Sequence, residues 1–214
     1  MPSQQDAEDL LHQIRKYFSS GNKSNNKRYT DDRSGRLPPG ASLTAANREA
    51  QANASATEVI YWRAERDKAG MSDVQFGEMI WTKGIKSGNC WEQACVAAWG
   101  AKHYGFTNSF TCTISDPGDH VFALVDYKKP AWKTASDMKT AGGEGWIVDP
   151  WANTCCRPNE YVDRFTAKMQ KWASEGKRIW YDSKANNFTG WTDALAYKYR
   201  NGFLTGPLSY TQCI

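Results

Sequence analysis

The segment Cys90–Trp99 is apolar almost all the way round a helix, and it constrains the fold more than any other part of the chain. Gly88 and Asn89 precede it as a loop and an N-cap, and Glu92 stands at the third helical position, as in a capping box. Gly105 predicts the end of the helix. Because a helix without a polar face must be buried on most sides, we expect the rest of the domain to pack around this one.

Two predicted strands follow this helix, at residues 107–115 and 120–127. The Asp-Pro-Gly sequence at 116–118 between them is typical of a hairpin turn. A third short strand, 146–149, comes after the polar, glycine-containing stretch 128–145. Together these elements predict an α+β fold in which a helix packs on an antiparallel sheet.

The N-terminal region combines a helix with a polar segment. Residues 6–18 place their large apolar side chains on one helical face, with Ser3 as a plausible N-cap. Residues 19–42 are rich in Ser, Asn, Gly, Lys and Arg, which predicts a flexible linker. The sequence therefore divides into a helix with its linker, 1–42, and a main domain, 43–214.

The main domain begins with helical sequence. One or two helices are predicted up to Gly70, and a further one over 72–83. The C-terminal part predicts an amphipathic helix at 158–175 and a strand at 178–182, followed by a Trp- and Tyr-rich tail, 188–214.

Three residues on these elements form a candidate catalytic site. Cys90 is the candidate nucleophile, because cysteine attacks as a thiolate and a helix N-terminus stabilises negative charge. His120 begins a strand directly after a tight turn, so its imidazole can project towards the helix end. Asp149 closes the strand 146–149, and it can orient His120 if the two strands are neighbours. We therefore predict a Cys-His-Asp triad.

The rival residues are less well placed. His103 lies near the far end of the Cys90 helix, roughly 20 Å away at 1.5 Å per residue, and His12 lies on the polar side of the first helix. Asp119 precedes the strand of the candidate base and is expected to point away from it. Asp126 lies roughly 20 Å along that strand.

The groups that would stabilise an oxyanion are not selected by spacing. Trp91 and Glu92 offer backbone N–H groups at the helix N-terminus, and Asn89 or Trp81 offers a side chain. Trp151 is expected to line the site, because it follows the candidate aspartate by two residues. The other tryptophans are expected in the core and the pocket walls.

Composition excludes several classes of protein. The 27 basic and 23 acidic residues give a net charge of +4, and the basic residues are scattered, which predicts no nucleic-acid or membrane surface. The first residues lack the basic and apolar regions of a Sec signal peptide. The six cysteines are therefore expected to be mostly reduced, with disulfides as the alternative outside a reducing cytosol. Their spacing does not fit a zinc site, and no metal or cofactor is predicted.

Three short motifs resemble those of a known group of enzymes. Gly-Asn-Cys at 88–90, Asp-His-Val-Phe at 119–122 and Asp-Pro-Trp at 149–151 follow the order of papain-like and transglutaminase-like thiol enzymes. They are most similar to bacterial effector and toxin domains whose motifs read G-N-C, D-H-x-F and D-P-W. The resemblance covers about residues 84–156, one third of the chain, and 128–145 is longer than expected for the group.

The resemblance implies a papain-like or transglutaminase-like core and hydrolysis of an amide in a protein substrate, by glutamine deamidation or peptide-bond cleavage. It also implies a secreted effector or toxin, cytoplasmic in the producer and delivered to a target cell by a type III or type VI-like route. A cognate immunity protein or chaperone is a further implied partner. The alternatives are a transglutaminase, a peptidoglycan amidase in interbacterial competition, and a catalytically inactive binding module.

Overall fold

Helices and strands alternate irregularly along the chain. The computed structural model describes residues 2–21, 24, 26–29, 41–116, 118–140, 142, 144–183, 188–196 and 205–214. Its elements are α1 (Gln4–Ser19), β1 (Lys27–Tyr29), α2 (Ala41–Ala69), α3 (Asp73–Thr82), α4 (Cys90–Gly100), β2 (Ser109–Ile114), β3 (His120–Val125), β4 (Trp146–Asp149), β5 (Thr154–Cys156), α5 (Pro158–Ser174), β6 (Lys177–Ser183), β7 (Phe188–Asp193) and β8 (Leu208–Gln212). Short 3₁₀ helices cover Ala101–Tyr104 and Ser136–Thr140.

The main sheet has five strands in the order β5-β4-β3-β2-β8, and every neighbouring pair is antiparallel. The predicted hairpin is present, since β2 pairs with β3 from Ser109 opposite Val125 to Ile114 opposite His120. β3 also pairs with β4, which was the condition for bringing the two candidate side chains together. The predicted α+β class is confirmed.

Helices cover both faces of this sheet. All residues of β3 and β4 are buried, which explains why their sequences are continuously apolar instead of alternating. Ala123 and Val125 share a core cluster with α1, α3 and α4, whereas Phe122 and Leu124 share one with α5. The predicted burial of α4 is confirmed, because ten of its eleven residues are buried.

Helix α3 packs closely on α4 because Gly77 has no side chain. A Cβ atom at Gly77 would lie 2.2 Å from the carbonyl oxygen of Cys95, closer than atoms can approach. Ser72 caps α3 as predicted, with the Gln75 side chain accepting from the Ser72 backbone N–H at 2.9 Å. The pair α3–α4 therefore holds the N-terminus of α4 in a fixed position.

Helix α1 packs into the same body as the main domain. Ser3 caps it as predicted, with Asp6 accepting from the Ser3 backbone N–H at 2.6 Å. Its apolar face, including Leu10 and Ile14, is buried in the core cluster of α3 and α4. The boundary drawn at residue 42 thus does not separate α1 from the core of the main domain.

The prediction of a flexible linker is wrong for residues 27–29. Residues 27–29 of the predicted linker form β1, which pairs with β6 in a second antiparallel sheet of order β1-β6-β7. The Trp- and Tyr-rich tail contains β7 and β8, because these segments find partners in β6 and β2. Residues 22, 23, 25 and 30–40 of the predicted linker lie outside the described residues.

Within the part of the chain that the structure describes, no helix has the length and apolar character needed to cross a bilayer.

Candidate active site

Cys90 is the first residue of α4, and its surroundings hold the helix entrance in place. The Asn89 backbone N–H donates to Oε2 of Glu92 at 2.8 Å, which is the half of a capping box that ties the N-cap to the helix. The Gln93 side-chain amide donates to the Gly88 carbonyl at 2.8 Å. Cys90 is 7% exposed, so only a small part of its surface faces solvent.

His120 and Asp149 meet at one end of the main sheet. Because β3 and β4 are antiparallel neighbours, the first residue of β3 and the last residue of β4 lie at the same end. His120 Nε2 lies 2.8 Å from Asp149 Oδ2, and both side chains are fully buried. The convergence predicted for these two residues is therefore present.

Asp149 has two further hydrogen-bond donors. The Tyr161 hydroxyl, from α5, donates to Oδ2 at 2.7 Å and lies 3.1 Å from His120 Nε2. The Ala152 backbone N–H donates to Oδ1 at 2.9 Å, across the turn that follows β4. These bonds fix the carboxylate in the orientation that the imidazole needs.

The charges of this pair stabilise each other. Burial lowers the pKa of His120, but the charge and hydrogen bond of Asp149, with smaller contributions from Cys90, outweigh it and raise the pKa to about 10. Burial raises the pKa of Asp149, yet the charge and hydrogen bond of His120 bring that pKa below its usual value. At neutral pH the pair is therefore an imidazolium beside a carboxylate.

Cys90 contributes to the raised pKa of His120, after the larger effects of burial, which lowers that pKa, and of Asp149, which raises it. Because Asp149 and Tyr161 occupy Nε2, the ring nitrogen that remains for Cys90 is Nδ1. The imidazolium and the helix N-terminus both place positive charge near the Cys90 sulfur. The arrangement can thus supply a nucleophile and a proton donor side by side.

Aromatic rings enclose the imidazole. Trp151 and Phe165 lie with ring centroids 5.1 Å and 5.0 Å from that of His120. Trp151 has no exposed surface, so it packs behind the histidine and does not line the open cavity. Its ring fixes the imidazole orientation and excludes water from that side.

The segment before α2 links the two halves of the site. The Ser24 hydroxyl donates to Oδ1 of Asn89 at 2.7 Å, next to the nucleophile. The Trp151 indole N–H donates to Oδ1 of Asn26 at 3.0 Å, and the Lys27 ammonium group donates to the Trp151 carbonyl at 2.8 Å. This short segment therefore contacts both the loop before Cys90 and the tryptophan behind His120.

A cavity of about 600 Å³ lies beside Cys90. Trp180 of β6 and Trp191 of β7 form one wall, with ring centroids 5.6 Å apart, and Trp180 is 41% exposed. Helix α2 forms another wall. The remaining lining residues are Asn26, Ala52, Asn53, Ala56, Arg63, Asn89 and Asp119.

The residues proposed as oxyanion groups lie in different settings. Asn89 lines the cavity next to Cys90. Trp91 follows Cys90 in α4, and its half-buried ring contacts Phe76 and donates its indole N–H to Asp73 at 3.3 Å. Trp81 packs against Tyr17, with ring centroids 4.4 Å apart, and does not line the cavity.

The other cysteines differ from Cys90 in their surroundings. All six are free thiols, and none of the other five stands at a helix N-terminus or lines this cavity. Burial raises the pKa of Cys155 to about 12 and that of Cys213 to about 11. It raises the pKa of Cys95, Cys112 and Cys156 as well.

The rival histidines and aspartates also occupy other places. His103 packs its ring against Trp99 at 5.0 Å, and His12 is exposed. Asp119 is exposed and lines the cavity.

Sequence reasoning missed two polar side chains of the site. Tyr161 carried only the signal of a core aromatic on an amphipathic helix. Arg63 lies on a helix far from Cys90 in sequence, and no motif spacing joins it to Glu92, with which it forms an ion pair. In the described part of the chain, no group of three or more His, Cys, Asp or Glu side chains could hold a metal ion.

The chain was compared with protein families, curated proteins and solved structures. No protein family, no curated protein and no solved structure matches this chain.

Proposed function

We propose that this protein is a thiol-dependent amide hydrolase with a papain-like or transglutaminase-like core, which acts on an amide of a target protein. The observation that carries the proposal is the hydrogen-bonded pair His120–Asp149, which interacts electrostatically with Cys90 in the wall of an open cavity. A Cys at a helix N-terminus, a buried imidazolium and an orienting carboxylate are the groups that nucleophilic catalysis by a thiol requires.

The reaction follows from the protonation states. The Cys90 thiolate adds to the amide carbonyl carbon, and the carbonyl oxygen becomes an oxyanion near the N-terminus of α4. The C–N bond then breaks while the His120 imidazolium gives its proton to the leaving nitrogen. A water molecule, deprotonated by His120, attacks the thioester and releases the acid, and Cys90 returns to its starting state.

The burial of Cys90 favours a side-chain amide over a backbone bond. At 7% exposure the sulfur lies against cavity walls from α2, β6 and β7. A glutamine side chain can enter such a cavity from a folded target, whereas an extended backbone needs an open cleft. Glutamine deamidation is therefore our first candidate, and peptide-bond cleavage is the second.

The exposed tryptophan wall favours one alternative substrate. Trp180 and Trp191 present aromatic surface beside asparagine side chains, a combination that also suits a sugar ring. A peptidoglycan amidase would use the same nucleophile and the same base. The proposed role as a delivered bacterial effector or toxin, with an immunity protein or chaperone as a partner, is supported by the motif resemblance alone.

Mass spectrometry of a target-cell lysate tests the proposal. Lysate incubated with the wild-type protein is expected to contain glutamines that have gained about one dalton, or new fragments if the bond is in the backbone. Cys90→Ala is expected to give neither, and Cys155→Ala, which removes a half-buried thiol outside the cavity, is expected to match the wild type.

Two parallel incubations separate the alternatives. A primary amine added to the lysate becomes attached to glutamine if the protein is a transglutaminase, and purified peptidoglycan releases peptides if it is an amidase. If wild type and Cys90→Ala give identical products in all incubations, and iodoacetamide labels Cys90 no faster than Cys155, the protein is a binding module and the proposal is wrong.

A further inference from the structure

Helix α2 brings a cation to the cavity that holds Cys90. Arg63 and Cys90 line the same cavity from opposite elements. The Arg63 guanidinium is fixed by two bonds to Glu92, from Nε to Oε1 at 2.6 Å and from Nη2 to Oε2 at 3.1 Å. Glu92 is in turn bonded to the Asn89 backbone N–H, directly before Cys90. The position of Arg63 is therefore tied to the entrance of α4.

The Arg63–Glu92 pair does not use all the capacity of the guanidinium. The Glu92 side chain is 3% exposed, while that of Arg63 is 39% exposed, so the arginine is the partner that faces the cavity. A guanidinium carries more N–H donors than the two that Glu92 accepts. Arg63 thus presents positive charge to the cavity that Cys90 also lines.

Electrostatics connect this charge to the nucleophile. Burial lowers the pKa of Arg63, but the charge and hydrogen bonds of Glu92, followed by the charges of Cys90 and Asp119, raise it above its usual value. Such an interaction is reciprocal, because a thiolate that stabilises the guanidinium is stabilised by it to the same extent. Positive charge therefore acts on the Cys90 sulfur from α2 as well as from His120.

We propose that Arg63 is an electrostatic positioning residue of the catalytic site, which stabilises the Cys90 thiolate and the oxyanion that forms beside it. This inference rests on the proposed thiol chemistry. Glu92 moderates the effect, because its carboxylate cancels part of the positive charge while it anchors the guanidinium. The Arg63–Glu92 pair thereby determines how much positive charge lies near the Cys90 sulfur, although neither residue belongs to the proposed triad.

The same helix provides a matched control. Arg66 lies less than one turn after Arg63, and its guanidinium lies 4.9 Å from the Trp91 ring centroid, compared with 5.4 Å for Arg63. It contacts Asp73 at 3.5 Å and does not line the cavity. Replacing Arg66 removes a charge and a ring contact of the same kind, but leaves the cavity unchanged.

The experiment is the rate of Cys90 alkylation by iodoacetamide as a function of pH, followed by peptide mass spectrometry on the full chain. Arg63→Gln is expected to move the midpoint of the pH–rate profile upwards and to lower the rate at neutral pH about tenfold, the effect of one unit of pH. Arg63→Lys, which keeps the charge, should recover most of the rate. Arg66→Gln should stay within about twofold of the wild type.

Glu92→Gln gives a result of opposite sign. It removes the negative charge that offsets Arg63, so the midpoint is expected to move downwards. A residue with only a structural role would slow the reaction in both variants through loss of packing. Circular dichroism and thermal unfolding check that each variant is folded. If Arg63→Gln is unstable, the double variant Arg63→Gln/Glu92→Gln is compared with Glu92→Gln instead, because these two proteins differ only at Arg63, and the double variant is expected to have the higher midpoint.

The outcomes separate this inference from the proposed function. If wild-type Cys90 is alkylated no faster than Cys155, the thiol chemistry itself fails. If wild-type Cys90 is fast but Arg63→Gln reproduces its profile, or Glu92→Gln shifts it in the same direction as Arg63→Gln, the role of Arg63 is overturned and the triad remains.

Discussion

Two ion pairs flank Cys90, one on the side of the sheet and one on the side of α2. In His120–Asp149 both side chains are fully buried at a separation of 2.8 Å, whereas Arg63–Glu92 leaves the arginine 39% exposed. The buried pair depends on the register of two neighbouring strands, so its geometry is set by the core. The half-exposed pair joins α2 to α4 across the cavity rim.

The difference in burial suits the two ion pairs to different roles. A buried charge keeps its strength only if its partner stays in place, so the strand-side pair suits proton transfer in a dry environment. A half-exposed pair is screened by solvent and salt, so it suits the adjustment of charge at the cavity. Substitutions on the sheet side should therefore have larger effects than substitutions on the α2 side.

Asp149→Asn should have the largest effect on stability and turnover rate of the substitutions considered for the two ion pairs. The buried imidazolium of His120 would lose the carboxylate charge of Asp149, so we expect the free energy of unfolding to fall by about 3–5 kcal/mol and the turnover rate to fall by about 10³–10⁴. Urea unfolding and kcat/KM on the identified substrate measure both. Glu92→Gln should cost less than Asp149→Asn in stability, and an equal or larger loss for Glu92→Gln would contradict the comparison.

The free energy of unfolding should depend on pH through the His120–Asp149 pair and not through the Arg63–Glu92 pair. The pKa of His120 is raised from 6.5 to about 10, so the stability it contributes is complete below pH 6.5 and is lost as the pH rises towards 10. The pKa of Asp149 is lowered from 3.8, so its contribution is present above pH 3.8 and is lost as the pH falls below that value.

Chemical unfolding at a series of pH values between 6 and 10 checks this. Between pH 6 and 10, the free energy of unfolding of the wild type should fall by a few kcal/mol relative to that of His120→Gln. Each unit of difference between the folded and unfolded pKa of His120 corresponds to about 1.4 kcal/mol. Glu92→Gln should shift the whole curve without changing its shape, because Arg63 does not titrate there. If the wild type and His120→Gln have parallel curves, His120 is not held as a cation.

Tyr161→Phe tests the smallest contribution on the buried side. It removes one hydroxyl donor from Asp149 and keeps the ring in the core, so we expect a loss of about 2 kcal/mol, typical of a hydrogen bond to a charged group. The turnover rate should fall about tenfold, because Asp149 loses a restraint on its orientation. Tyr210→Phe is the control, since that hydroxyl donates to the neutral carbonyl of Trp132 at 2.6 Å. Equal turnover rates in Tyr161→Phe and Tyr210→Phe would show that the Tyr161 hydroxyl does not contribute to the site.

The sequence predicts the sheet-side half of the site because its signals are local. The cap at Asn89, the tight turn before His120 and the proline after Asp149 each mark the end of an element by its own chemistry. Once the hairpin is recognised, antiparallel pairing brings the ends of its strands together. No long-range information is needed beyond the pairing of β3 with β4.

The α2 side was not predictable for the opposite reason. Arg63 and Glu92 are joined only by tertiary structure, and residues 27–29 form a strand because β6 supplies their hydrogen-bond partners. The sequence expectation for Trp180 and Trp191 covered both the core and the pocket walls, since nothing local tells a buried tryptophan from one in a cavity wall. Composition alone therefore indicated a linker at residues 27–29, where pairing with β6 creates a strand.

The contacts of Ser24, Asn26 and Lys27 have a practical consequence for anyone who shortens this protein. A truncation at residue 43 would follow the compositional boundary, yet it would remove the Ser24 hydroxyl that bonds Asn89 and the contacts of Asn26 and Lys27 with Trp151. Such a fragment would keep Cys90, His120 and Asp149. It would lose the segment that contacts both the loop before Cys90 and the tryptophan behind His120. A shortened version of the protein should therefore keep this segment, and also helix α1, whose apolar face lies in the core with α3 and α4.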